Sequence, residues 1–417
     1  MTGWLQLSDE QRRTTLAEAE ANSGISAKAI EKDWWVTLTL KALFQSAFKE
    51  HLIFKGGTSL SKCWKIISRF SEDIDLALAP EAFEMSYEET PSKRYVKRLK
   101  RAGCQFTSQQ LKEELEKMIL ALGVPENTVT VAAETVREDM PDTDPQVIYV
   151  RYPSLFDPLA YIADEVKIEV SVRSLKTPFT TKEVQSLLNE YFPNPAYEET
   201  PFPVLAVEAR KTFLEKAFLL HEEFQKPDRA KVRAERMSRH LYDLVSMMHT
   251  EIGTDALQDY QLYDHLVTHR KWYTCYTYLD YEQLGHQTIA FVPPDDILAL
   301  YRDDYEVMRQ EMIYGQTMEF EELINDLKLL QGRFRMKMEP RSLDDVIQDA
   351  RTRIPAALAM QPNASQVHIL QSYTADAYQP LGGKNNHAQY AVSFSRQDDQ
   401  WHFEAIEVVE KKEPFAE

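Results

Sequence analysis

The sequence predicts an α+β protein of 417 residues. Residues 1–200 should form a mixed sheet with flanking helices, 201–335 a helical domain, and 336–417 a small α/β extension with a β-hairpin. Three observations carry this. Short apolar segments with the alternating polarity of strands are interspersed with helical segments through the first 200 residues. From Leu205 to about Leu330 helical periodicity dominates and glycines are few. Near the end, Ala388–Phe394 and Gln400–Val409 alternate about Ser395–Asp399, as in a hairpin. The three prolines between Asn194 and Pro203 mark the best boundary.

The elements follow in order. Ser8 with Gln11 resembles a capping box and opens a helical stretch to Ala47, with a second helix beginning near Ala29 and presenting Ile30, Trp34 and Leu38 on one side. Trp34 and Trp35 should pack these helices onto the sheet. Leu52-Ile53-Phe54 is a short apolar run stopped by Gly56-Gly57, a buried strand ending in a tight turn. Thr58–Ile67 reads as a helix and Phe70–Leu78 as a strand, since Ile74, Leu76 and Leu78 alternate with Asp73, Asp75 and Ala77. An acidic loop between Pro80 and Pro91 precedes a helix over Lys93–Leu120. Strands are expected at Thr128–Thr135, Gln146–Tyr152 and Val166–Val172, and one further helix at Leu343–Ala357.

Charge narrows the function. Lys plus Arg number 48 against 66 Asp plus Glu, a net of −18, which argues against indiscriminate coating of nucleic acid. Two local basic runs stand out from that background, Lys93–Arg101 with six basic side chains and no acid, and Lys226–Arg239. Lys93, Arg94, Lys97, Arg98 and Arg101 could line an RNA-binding rim, against the plainer reading of a solvated helix face. Cys63, Cys104 and Cys275 lie far apart without a CxxC pair, which fits a reducing cytosol. No secretory signal and no apolar run near the ~20 residues of a membrane span is visible. A soluble, cytoplasmic protein is expected. His265 and His269 share a helix face without an accompanying HExxH glutamate, so packing is favoured over zinc.

The chemistry concentrates in Phe54-Lys55-Gly56-Gly57-Thr58-Ser59-Leu60-Ser61-Lys62 and Phe70-Ser71-Glu72-Asp73-Ile74-Asp75-Leu76. A diglycine with Thr and Ser opening a helix permits close approach of phosphate oxygens to unpaired N–H groups. It is not a Walker A loop, because no second glycine precedes Lys62 at the required spacing. Asp73 and Asp75, at i and i+2 on a strand, point to one face and repel each other unless a cation neutralises them. A magnesium pair bound to a triphosphate would do so. Alone, a diglycine is usually a turn and a DxD a solvated strand edge. In strand–turn–helix–strand order the two fit one phosphate and metal site. Glu169, on a strand whose polar residues Lys167, Glu169 and Ser171 share a face, is the candidate third carboxylate, and Lys167 is its candidate partner.

These runs, with Ile30-Glu31-Lys32-Asp33-Trp34-Trp35-Val36, resemble the AbiEii/AbiGii toxin family. Its members are nucleotidyltransferases of the DNA polymerase β-like superfamily, found in abortive-infection (phage defence) and type IV toxin–antitoxin systems. The similarity continues at Arg210-Lys211-Thr212-Phe213-Leu214-Glu215-Lys216 with His221, and at Arg236-Met237-Ser238-Arg239-His240-Leu241-Tyr242-Asp243-Leu244. It is weaker at Asp304-Tyr305-Glu306-Val307-Met308, and covers roughly residues 30 to 330. The acidic pair lies a longer helix away from the turn than in the wider superfamily, which suits this branch.

The resemblance implies a nucleotidyltransferase fold joined to a helical domain that closes the cleft. Asp73 and Asp75 would hold metal, with Glu169. Gly56, Gly57, Thr58 and Ser59 would form the phosphate loop, with Lys62 beside it. Lys216 would contact the triphosphate, Arg239 could add bidentate phosphate contacts, and Asp243 would be a further catalytic carboxylate. Without the resemblance, Glu215–Lys216 and Arg239–Asp243 read as ordinary helix salt bridges. The expected activity is Mg²⁺-dependent transfer of NMP from an NTP to an acceptor hydroxyl. Two ions, a tRNA 3′ end as acceptor and a cognate antitoxin as partner are implied. Nucleotidylation of a protein target, a catalytically silent scaffold and a DxD phosphohydrolase are the alternatives.

Overall fold

The computed structural model describes residues 1–157, 162–315 and 317–335, and in the C-terminal part 347–348, 350–351, 354–360, 364–374, 387–398 and 400–409. The capping box at Ser8 forms and starts α1 (Asp9–Ser23), which Gly24 ends in the left-handed region at φ 73°. Next comes α2 (Ala27–Phe44), buried along almost its whole length. Trp34 sits between Trp4 and Trp35, at ring-centroid distances of 4.7 and 4.9 Å, and Trp35 stacks on Tyr152. The two tryptophans do pack the helices onto the sheet.

The sheet has seven strands: β1 (Leu52–Lys55), β2 (Ile74–Leu78), β3 (Thr130–Ala133), β4 (Gln146–Arg151), β5 (Glu165–Ser171), β6 (Phe179–Val184) and β7 (Phe202–Val207), in the order β3-β4-β5-β2-β1-β7-β6. It is mixed, since β2 pairs with β5 and β1 with β7 in parallel while the other pairs are antiparallel. On one face Leu52, Phe54, Ile74, Leu76, Ile168 and Val170 enter the main core beneath α2. On the other face a small cluster of Ile53, Ala77 and Val207 is buried, and the polar residues of β2 and β5 project there. That asymmetry leaves room for a site.

The remaining helices are α3 (Gly56–Ser59), α4 (Lys93–Phe106), α5 (Lys112–Ala121), α6 (Leu187–Tyr191), α7 (Ala209–Phe224), α8 (Ser238–Met248), α9 (Glu251–Gln258), α10 (Tyr260–Tyr273), α11 (Leu298–Glu311) and α12 (Phe320–Arg335). A π-helical stretch, Leu60–Trp64, prolongs α3 and ends at Lys65 in the left-handed region (φ 53°). Another, Thr107–Leu111, joins α4 to α5, so the expected Lys93–Leu120 helix is nearly continuous.

Two expectations change. The proline-rich segment does not separate sheet from helices: β7, with Pro203 in it, lies beyond residue 200 yet pairs with β1 and β6, and one core runs from Trp4 to Phe334. Pro203 is tolerated because it lies near the start of β7, three residues before the register with β1 at Ala206, so its missing N–H interrupts no β1–β7 pairing. The expected strand at Phe70 begins only at Ile74, because Ser68–Phe70 pairs instead with the chain after α11: Phe70 N–H donates to Met312 O at 2.7 Å and Tyr314 N–H to Ser68 O at 3.0 Å. β6 carries no apolar alternation and was not foreseen. In the C-terminal part the hairpin appears as β9 (His387–Gln397) with β10 (Gln400–Val409), joined by β8 (Gln366–Thr374) on its other side. Of the expected Leu343–Ala357 helix, residues 347, 348, 350, 351 and 354–357 are helical and the others lie outside the described residues. A helix does occupy Ile354–Met360. No described helix is long and apolar enough to cross a membrane.

Candidate active site

The glycine turn is shaped by what stands against it. Gly56 has φ 78°, a conformation that strains any side chain, and a Cβ there would lie 2.1 Å from Asp75 Oδ2. A Cβ on Gly57 would lie 2.6 Å from the Arg69 guanidinium. Thr58 donates its hydroxyl to Asp73 O at 2.5 Å and sits 2.9 Å from Ser71 Oγ. Thr58 and Ser59 are buried. The turn is thereby fastened to the acidic loop. Of the four residues expected to cradle phosphate, Thr58 has its hydroxyl committed to that fastening, while Gly56 and Gly57 keep the backbone bare.

The acids lie as the strand period requires. Asp75 is in register with Lys55 on β1 and with Glu169 on β5, so all three side chains project on the open face, with Asp73 two residues upstream of Asp75. Burial and the negative charges of Glu72 and Asp75 hold the Asp73 carboxyl above its ordinary range. Its ion-pair partner, Arg239, is 4.0 Å away. Glu169 is bonded to Lys167; burial lowers the pKa of that ammonium, but the bond together with the negative charges of Glu169, Asp73 and Tyr149 raises it overall. Among the described residues no three His, Cys, Asp or Glu side chains converge closely enough to grip a metal as they stand.

A divalent cation nevertheless suits this donor set. Two hard carboxylates, Asp73 and Asp75, lie near enough to repel each other, and Asp73 is electrostatically under-compensated. Asp73 and Asp75 would hold the ion, with Glu169 next to them in register.

Helices α7 and α8 bring a second set of charges. Asp243 is fully buried and receives both Nε and Nη2 of Arg69, at 2.7 and 2.8 Å, and Lys216 Nζ at 2.8 Å. Burial alone would raise its carboxyl, but the two cations hold it far below the usual range. Burial and the cations Lys216 and Arg239 push His240 well below its ordinary value, so its neutral Nδ1 faces Lys216 Nζ at 3.3 Å. Lys216 pairs with Asp243 rather than Glu215, and Asp243 with Arg69 rather than Arg239; the local helix pairings do not form. Arg239 faces Asp73 instead, and among the described residues its buried Nε has no hydrogen-bond partner.

The structure also places Lys62 away from the role expected of it. Its ammonium forms a buried pair with Asp33 at 2.6 Å and anchors the turn's helix to α2. The neighbouring residues of α2 do similar work. Lys32 binds Glu72 at 2.7 Å, and Glu31 accepts from Ser154 and Leu155. Glu72 in turn receives Arg236 at 2.9 Å, and Asp304 on α11 accepts from the backbone of Arg236 and Ser238 at the start of α8. His269 is buried between Tyr87 and Tyr273 and bonded to Arg173 O at 2.7 Å, and His265 is exposed. Sequence reasoning missed Arg69 and Lys55. Arg69 carries no local signal, since its partner is 174 positions away. Lys55 was legible from its place at the strand end, opposite Asp75.

With this geometry in view, the comparison with protein families is decisive. The model of the family described as nucleotidyl transferase AbiEii toxin, type IV TA system, matches residues 39–326. The chain belongs to the AbiEii family. The match spans the glycine turn, the acidic pair, β5 and the helices carrying Lys216, Arg239 and Asp243. A search of curated proteins finds no match. For an AbiEii nucleotidyl transferase, the open sheet face between the turn and α8 is the candidate active site.

Proposed function

We propose that this AbiEii protein transfers a nucleoside monophosphate from a nucleoside triphosphate to an acceptor hydroxyl, the 3′ end of a tRNA, and that a cognate antitoxin restrains it. The acceptor oxygen attacks the α-phosphorus, the bond to the bridging oxygen breaks, pyrophosphate leaves, and the hydroxyl proton passes to a carboxylate. Asp73 and Asp75 would hold Mg²⁺, two ions in all, which would neutralise triphosphate charge and lower the acceptor's pKa. Glu169, released from Lys167, takes the proton. The bare backbone of Gly56 and Gly57 receives the phosphates. Arg239, whose Nε has no hydrogen-bond partner among the described residues, binds the triphosphate, and Lys216, once drawn from its pair with Asp243, steadies the leaving pyrophosphate.

The observation that carries this reading is the packing of Asp75 directly against Gly56: carboxylate and turn share one small volume, as phosphate and metal must. The experiment is incubation of the purified protein with each labelled NTP, total RNA and Mg²⁺. Label on RNA is expected, with at least ~10²-fold less in Asp75→Ala. Label on protein alone would transfer the reading to a protein acceptor, and no incorporation with any nucleotide would overturn it.

A further inference from the structure

The two basic runs of the sequence meet different fates in the fold. Between residues 226 and 239 the charges are matched: Lys226 and Arg233 pair with Glu223, Arg229 with Asp296, Lys231 with Asp228 and Arg236 with Glu72, and Arg239 faces Asp73. On α4 they are not. Lys93, Arg94, Lys97, Arg98 and Arg101 are exposed, and among the described residues none of the five forms an ion pair. Only Lys100 does, with Asp142 at 3.0 Å.

Helix α4 keeps this arrangement against its own local interest. Its first turn holds Lys93 and Arg94 and no acid, where the helix dipole disfavours cations. Lys93–Lys97, Lys97–Arg101 and Arg94–Arg98 are like charges at i, i+4, which repel. The opposite face supplies the stability. Ser92 caps the helix, Tyr95 and Leu99 are buried, and Tyr95 OH bonds to Ser86 O. Gly103 packs so tightly on Val172 that a Cβ would stand 2.3 Å from Cγ1. The result is a rigid ridge of five cations along about 12 Å of helix.

We infer that α4 is a docking ridge for a nucleic-acid phosphate backbone and, on the transferase reading above, for the body of the RNA acceptor. A protein partner would want apolar surface among the charges, but Tyr95 and Leu99 point inward. A phosphate backbone needs none. The ridge is remote from the chemistry. Val172, its anchor, lies three residues along from Glu169, about 10 Å, with its side chain in the core beneath the opposite sheet face. It therefore holds an acceptor some distance from the end that reacts.

The test uses the full chain without nucleotide. Binding of a labelled RNA hairpin with a single-stranded 3′ tail, and of a DNA duplex of equal length, is followed by anisotropy across a salt series. The protein is compared with its Lys93→Gln, Lys97→Gln, Arg101→Gln variant. The variant should fold normally by circular dichroism, bind the hairpin at least ~10-fold more weakly at low salt, and lose about 2–3 from the slope of log affinity against log salt, at ~0.9 per phosphate contact. RNA binding at unchanged affinity and slope overturns the ridge, as does a charge dependence seen only with polyglutamate, which would point to an acidic protein. A dependence confined to DNA overturns the acceptor assignment. Because no transfer is measured, failure here leaves the transferase reading standing, and failure of transfer leaves the ridge standing.

Discussion

Gly56 shows how little space separates an ordinary turn from a site. Its positive φ and the 2.1 Å approach of Asp75 Oδ2 act together, so even a methyl group must displace the carboxylate. Gly56→Ala should cost about 1–3 kcal/mol in denaturant unfolding, from left-handed strain and collision, and should also reduce nucleotide incorporation sharply. Wild-type incorporation by a folded Gly56→Ala protein would mean Asp75 need not sit against the turn. Lys62 teaches the converse. A lysine just past a phosphate-loop pattern reads as a ligand contact, yet a buried aspartate on α2 takes it. The residue type was informative and its partner was not.

Among the elements, α8 carries two arginine-acid relations of different kinds. Asp243 holds two buried cations, Arg69 at 2% exposure and Lys216 at 7%. Asp243→Asn leaves them without a counter-charge and should destabilise the protein by about 3–5 kcal/mol. Arg239, one-third exposed and 4.0 Å from Asp73, contributes little to folding. Arg239→Ala should unfold within about 1 kcal/mol of the parent while raising the KM for NTP. Equal stability of Asp243→Asn and the parent would remove the structural role argued for Asp243. The pairings that decide this cross from α8 to α7 and to the loop before β2, so helical spacing alone suggested the wrong partners.

At the scale of the molecule, one core ties the sheet to the helices, and buried histidines make that unit acid-sensitive. His221 and His269 are each pushed down to about 4, chiefly by burial, and Ala290 N–H donates to His221 Nδ1, which requires the neutral ring. His286 is likewise lowered to about 4 by burial. Their folded values lie below the unfolded ~6.5, so the unfolded chain binds more protons between these limits. Stability is complete above pH ~6.5 and falls as the pH drops toward 4, with a slope approaching about 1.4 kcal/mol per unit for each histidine. Thermal unfolding at pH 7.5, 6 and 5 should show a falling midpoint, and His221→Gln a shallower fall. A midpoint independent of pH over this range would contradict the burial of neutral rings.

What the chain announced by itself was local. The capping box at Ser8, the alternation through Ile74, Leu76 and Leu78, the stop at Gly56-Gly57 and the late hairpin depend on side-chain period and backbone freedom, which neighbouring residues determine. The same period placed Asp75 and Glu169 on polar faces of their strands, with Asp73 just before its strand begins. The fold alone decided that β2 and β5 lie side by side with Asp75 opposite Glu169, that Arg69 reaches Asp243 across 174 positions, and that β7 belongs to the sheet. It also decided which basic run is neutralised and which is left bare. Those outcomes depend on long-range pairing, where burial forces each charge to find a partner that sequence distance does not reveal.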